Sequence, residues 1–119
     1  MSYRRWPTLE DWLVALDPTR GSEIRKTRPC LIVSPDEINE SLRTVIIAPM
    51  TTTKRAYLSR IGLTFQGKQG QVALDQIRAI DRERLVRKLG IVSTKTANAV
   101  SATLVQMFAR AGQAYNFLL

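Results

Sequence analysis

From Trp12 to Ile80 the apolar residues fall in short, often β-branched runs, each ended by turn chemistry, and only after Ser93 does the spacing lengthen to a helical period. Short runs bounded by Gly, Pro and polar clusters are strands; apolar positions 3.6 residues apart form one face of a helix. Strands are expected at Trp12–Asp17 (WLVALD), Leu31–Val33, Thr44–Ala48 (closed by Pro49), Ile61–Phe65, Gln71–Leu74 and Ile77–Ile80. Turns are expected at Pro18–Ser22 and Gln66–Gly70, where Pro fixes φ and Gly permits positive φ. A short helix is expected after Ser34 as N-cap with Pro35 in its first turn, ending near Asn39. A longer one should start at Ser93 or Thr94 and stop at Gly112, burying Ala97, Val100, Leu104, Met107, Phe108 and Ala111. A chain of 119 residues supports one core. The expected fold is α+β, a single domain over residues 1–119: a strongly bent, barrel-like antiparallel sheet with a C-terminal helix packed on it. The apolar tail Tyr115–Leu119 should dock on the body or enter a dimer.

Charge narrows the partners. The net charge is +8, and between Met50 and Gly90 basic residues outnumber acidic ones 9 to 3. Such an imbalance attracts phosphate backbones, although it would also dock an acidic protein. Histidine is absent and Cys30 is the single cysteine. That excludes a His general base, a Ser-His-Asp triad and His-based zinc sites, and no metal ligand set is expected. Cys30, inside the apolar run Pro29–Val33, is expected to be a buried, inert thiol. No apolar run approaches the ~20 residues of a membrane span. The N-terminal stretch lacks the apolar core of a signal peptide, so a cytoplasmic location is expected.

Two polar loops could carry chemistry. The first holds Glu23, Arg25, Lys26 and Arg28; the second, Met50–Arg55, holds Thr51, Thr52, Thr53, Lys54 and Arg55. Guanidinium groups, hydroxyls, a carboxylate and loop N–H groups together suit RNA self-cleavage. That reaction takes a proton from a 2′-OH, stabilises a phosphorane and returns a proton to the 5′-oxygen. The ribose supplies the nucleophile, so neither a protein nucleophile nor a cofactor is needed. On loop composition alone the plainer reading is favoured: a structural Glu23–Arg28 ion pair, and threonines that fill a turn.

The motifs shift that balance. Residues 13–39, LVALDPTRGSEIRKTRPCLIVSPDEIN, resemble the N-terminal signature of the MazF/PemK/Kid toxins: LDPTxGSE, then TRPxLIVSP, then Asn39. Ala48-Pro49-Met50-Thr51-Thr52 and Gly70–Arg78 (GQVALDQIR) match further motifs in the same order, and the likeness runs from about Glu10 into the C-terminal helix. The resemblance implies an SH3-like β-barrel shared with the gyrase poison CcdB and a homodimer. It implies a metal-independent endoribonuclease that cuts single-stranded RNA at a short sequence, the toxin of a type II toxin–antitoxin system, and an acidic cognate antitoxin.

It also implies roles. Arg28 and Thr51 match the catalytic Arg and Thr of the MazF branch, and Glu23 a residue important for activity. Arg28 would neutralise the phosphorane and Thr51 hold a non-bridging oxygen. Glu23 would accept the proton or orient Arg28. Arg25, Lys26, Lys54 and Arg78 would follow the phosphate backbone, with Thr52 beside them. Asp75 and Gln76, in the segment that lines the RNA groove of relatives, would read base edges. Two departures stand out. Ser22 and Ala73 replace the His and Arg of the PemK/Kid acid–base scheme, so the site resembles MazF. Relatives read Arg-Gly-(Asp/Glu)-hydrophobic-Trp where this chain has Thr8-Leu9-Glu10-Asp11-Trp12, and loss of that glycine is expected to alter the first loop. Two readings compete: a CcdB-like gyrase-binding toxin, and a catalytically decayed homologue that binds only RNA or antitoxin. CcdB-type toxins rely on a Trp-Gly-Ile end, whereas this chain ends Asn116-Phe117-Leu118-Leu119.

Overall fold

The apolar runs around Leu31 and Ile47 become the spine of the protein. In a computed structural model, which describes residues 9–16, 21 and 26–110, β2 (Thr27–Ile32) pairs antiparallel with β3 (Thr44–Thr51). Both faces of this pair are covered, which is why its sequence is continuously apolar rather than alternating. Cys30, Ile32, Val45 and Ile47 pack with Val14, Leu16 and Ile80 on one side. Leu31, Ala48 and Met50 pack with Val72, Leu74 and Val100 on the other.

The other strands extend from this spine. β2 pairs with β1 (Glu10–Ala15), and β1 with β7 (Leu85–Ile91). The far edge of β3 is shared. Thr44–Ile47 pair with β6 (Arg78–Asp81), while Met50 and Thr51 pair with β5 (Lys68–Ala73), which continues to β4 (Arg60–Phe65). This change of partner curls the seven-stranded antiparallel sheet into a half-barrel. Pro49 stands between the two paired stretches, so its missing N–H costs no ladder bond on that edge. The α+β expectation holds. β3, however, runs through Pro49 to Thr51 rather than stopping at Ala48.

Helix α2 (Thr94–Phe108) lies over the second core cluster through Val100 and Leu104. Ser93 caps it, its Oγ accepting from Thr96 N at 3.2 Å. The helix stops at Phe108 rather than at Gly112, which is outside the described residues, as is the tail Tyr115–Leu119. Met107 and Phe108 were expected in the core. They are exposed instead, Phe108 at 70%, because only the first turns of α2 lie over the sheet.

The first helix is also placed differently. α1 spans Asp36–Ser41 with Pro35 as N-cap. Ser34 does not cap it, because its hydroxyl is used elsewhere: it donates to Asn39 Oδ1 and accepts from Ile46 N at 3.0 Å. Asn39, 1% exposed, also donates to Ser34 O at 3.0 Å, and its carbonyl accepts from Arg82 at 2.6 Å. The β4–β5 turn is tighter than expected, with only Gln66 and Gly67 between the paired Phe65 and Lys68. Both have positive φ (50° and 78°), as a two-residue hairpin turn requires. β7 has no counterpart in the sequence reading.

The atypical N-terminal segment leaves two marks. Leu9, where relatives are expected to carry glycine, adopts φ +67°, a region costly for a side chain with a Cβ. Backbone bonds hold it there: Leu9 N to Ile32 O at 2.6 Å and Val92 N to Leu9 O at 3.4 Å. Asp11, where relatives are expected to be apolar, is 1% exposed near the start of β1, and its Oδ1 has no hydrogen-bond partner. Burial, and secondarily the charge of Glu10, push its carboxyl from 3.8 up to about 6. A carboxyl raised in the folded state favours folding below its unfolded pKa, and that contribution disappears as pH rises through about 6. Asp11→Asn is therefore expected to raise stability by about 1–3 kcal/mol at pH 7 and to leave it nearly unchanged near pH 4. Urea unfolding of both proteins at the two pH values checks this. Equal differences at both would show that the buried charge is not the cause.

Candidate active site

The end of β3 is where the sheet opens. The β2–β3 pairing ends at Cys30↔Pro49, and Arg28 and Thr51 lie two residues beyond it, one on each strand. At that point β3 has already turned toward β5, and an open cleft of about 300 Å³ lies between. Arg28, Thr51, Thr52 and Lys68 bring charge and hydroxyls to its wall, while Leu63 and Phe65 bring apolar surface. Gly70 makes the geometry possible, since a Cβ there would lie 2.8 Å from the Thr51 carbonyl oxygen. Only glycine lets β5 approach the end of β3 so closely.

The second loop is held from both ends. Thr51 Oγ1 accepts from Thr53 N at 3.1 Å, closing a tight turn beside the cleft. Gln71 clamps the backbone of Arg55: Oε1 accepts from Arg55 N at 3.0 Å, and Nε2 donates to Arg55 O at 3.1 Å. Gln69, two residues away and so on the same strand face, accepts from Lys54 Nζ at 3.5 Å. Arg60 forms a two-pronged pair with Asp75, Nε to Oδ1 at 2.7 Å and a terminal nitrogen to Oδ2 at 3.1 Å. Its remaining nitrogen reaches Thr53 O at 3.5 Å. Hydrogen bonds from Arg60, with help from Ser59, hold the Asp75 carboxyl below the usual carboxylate range, and the same pair raises the Arg60 guanidinium.

The structure thus brings together Arg28, Thr51 and Thr52, with Lys54 close by. Lys26 is exposed at the base of the first loop with φ +69°, and its carbonyl accepts from Leu16 N at 3.0 Å. Glu23 and Arg25 lie outside the described residues. Asp75, Gln76 and Arg78 do not line the cleft. The Asp75 carboxylate is committed to Arg60 and Ser59 Oγ, so its observed work is to brace the second loop. Gln76 ends the short turn before β6, and Arg78 donates to the Leu16 carbonyl at 3.3 Å. Cys30 is fully buried, and burial pushes its thiol up to about 12 despite the nearby Arg78 and Arg28 charges. It is inert, as expected. Among the described residues no three His, Cys, Asp or Glu side chains gather as metal ligands, and no described helix is long and apolar enough to cross a membrane.

Sequence reasoning missed Arg60, Gln69 and Gln71. The hairpin alternation of β5 could have put Gln69 and Gln71 on one face, but nothing local shows that this face meets the second loop.

The comparisons agree with this fold. Endoribonuclease toxin MazF of Escherichia coli strain K12 is 30% identical over 106 residues, covering 87% of this chain and 96% of that protein. MazF from Deinococcus radiodurans superposes with a TM-score of 0.74 at 23% identity, over 85% of this chain and 94% of that one. A MazE–MazF structure from the same organism gives 0.64 at 25% identity, over 87% and 96%. The family model described as PemK-like, MazF-like toxin of type II toxin–antitoxin system matches residues 10–108, and the chain belongs to that family.

Proposed function

We propose that the protein is the endoribonuclease toxin of a type II toxin–antitoxin system, cutting single-stranded RNA at a short sequence and thereby stopping translation and growth. The observation that carries this reading is the meeting of Arg28 and Thr51 in the lining of one open cleft that also holds Lys68. In the reaction the ribose 2′-oxygen attacks the adjacent phosphorus, the P–O5′ bond breaks, and the products are a 2′,3′-cyclic phosphate and a 5′-hydroxyl. Arg28 neutralises the phosphorane and protonates the leaving oxygen, since a planar guanidinium fits phosphate oxygens. Thr51 and neighbouring loop N–H groups hold a non-bridging oxygen. Glu23 takes the 2′ proton, or else it orients Arg28 while solvent water takes that proton; Arg itself is a poor base. Lys54, Lys68, Arg25 and Lys26 follow the backbone. No metal is needed, because the nucleophile comes from the substrate.

The protein works in the cytoplasm as a homodimer and is silenced by an acidic antitoxin. A flexible acidic segment folding into the same cleft excludes RNA by occupying it. The gyrase-poison reading draws no support from the cleft. The decayed reading would have to explain why Gly70, Thr51 and Arg28 keep a cleft open. Incubating the protein with a long RNA in EDTA and mapping the new ends tests the proposal. Discrete cuts with 2′,3′-cyclic phosphate termini are expected. A requirement for added Mg²⁺ or Mn²⁺ would sink it.

A further inference from the structure

Beyond Thr53 the second loop runs out to an exposed aromatic side chain that neither core cluster uses. Tyr57 is 53% exposed and Leu58, beside it, 96%. An aromatic ring in so open a place usually belongs to a mobile loop tip, but this one has a fixed seat. The Arg60 N–H donates to Tyr57 O at 3.1 Å, and the Arg60 guanidinium lies 5.3 Å from the ring centroid. That guanidinium cannot wander. Asp75 grips it at two points, and its side chain is only 6% exposed. The same group contacts Thr53 O, two residues from Thr51, so the ring is tied to the rim of the cleft. Lys54 and Arg55 lie between, both exposed.

We infer that Tyr57 is a stacking platform for one base of the RNA strand as it leaves the cleft, with the Arg60–Asp75 pair as the positioning element beneath it. The inference rests on the endoribonuclease reading and adds a residue that would shape its sequence preference. Arg60 covers one ring face, more than half of Tyr57 is still open, and cations beside it suit the adjoining phosphates. A base splayed out of a single strand stacks well on such a ring. Purines should be favoured over pyrimidines at this position because they cover more of it. The seat also lowers the ordering cost, since the ring is held before RNA arrives.

The test uses RNAs with one cut site and a single abasic nucleotide moved stepwise away from it. Wild-type kcat/KM should fall about 5- to 150-fold at one position, with kcat little changed. Tyr57→Ala should lose a similar factor on intact RNA and become indifferent to an abasic nucleotide at that position. Tyr57→Phe and Tyr57→Trp should behave as wild type, because they keep the ring. Wild-type cleavage by Tyr57→Ala would overturn the platform, as would losses that simply multiply at every abasic position. If the wild-type protein cuts none of these RNAs, the endoribonuclease reading itself fails, and the platform with it.

Discussion

Arg28→Ala is expected to lower single-turnover RNA cleavage by ~10²- to 10³-fold, the scale on which one preorganised donor to a developing charge contributes. The argument is geometric. Arg28 lies in β2 at the point where β3 has turned toward β5, and it lines the open cleft together with Thr51. RNA affinity should fall far less, because one phosphate contact among many is lost. Arg28→Lys should recover only part of the rate, since an ammonium supplies charge without the planar fork. Thr51→Ala should show a smaller defect in the same direction, with loop N–H groups sharing the same oxygen. The checks are single-turnover cleavage and anisotropy of a labelled, uncleavable RNA. Unchanged cleavage by Arg28→Ala would refute the role. A rate that fell only in step with affinity would make Arg28 a binding residue.

What the sequence revealed follows the physics of burial. The β2 and β3 runs were legible because both faces are covered, which makes every residue from Cys30 to Ile32 apolar. β7 was not. It is an edge strand whose Val86, Arg87 and Lys88 are all exposed, so its pattern carries no alternation to read. Pro49 reads as a strand end by local chemistry, and only the change of partner from β6 to β5 explains its place inside β3. The helical face of α2 was legible, but which turns the sheet covers is a tertiary matter, and Phe108 falls beyond them. The site divides in the same way. Arg28 and Thr51 came from motif resemblance, and the structure puts them in one cleft. Asp75 was assigned to bases by motif resemblance, and its partner Arg60, 15 residues away, gives no local sign. Gln71 was invisible as a clamp for the same reason, since its partners are the backbone atoms of Arg55.

The central claim is that the RNA supplies its own nucleophile and that Arg28 and Thr51 serve the phosphorus it attacks. A 2′-deoxy substitution tests this at one atom. An oligonucleotide carrying a single mapped cut site is prepared in two forms, all-ribose and with deoxyribose only at the nucleotide 5′ to the cut. Affinity should be nearly equal, because one hydroxyl contributes little beside the phosphate contacts. The all-ribose strand should be cut, in EDTA as in buffer. The substituted strand should stay intact at that position under single-turnover conditions, because no 2′-oxygen is present to attack. Cleavage at the substituted position would show that water or a protein group attacks the phosphorus, and would contradict the mechanism.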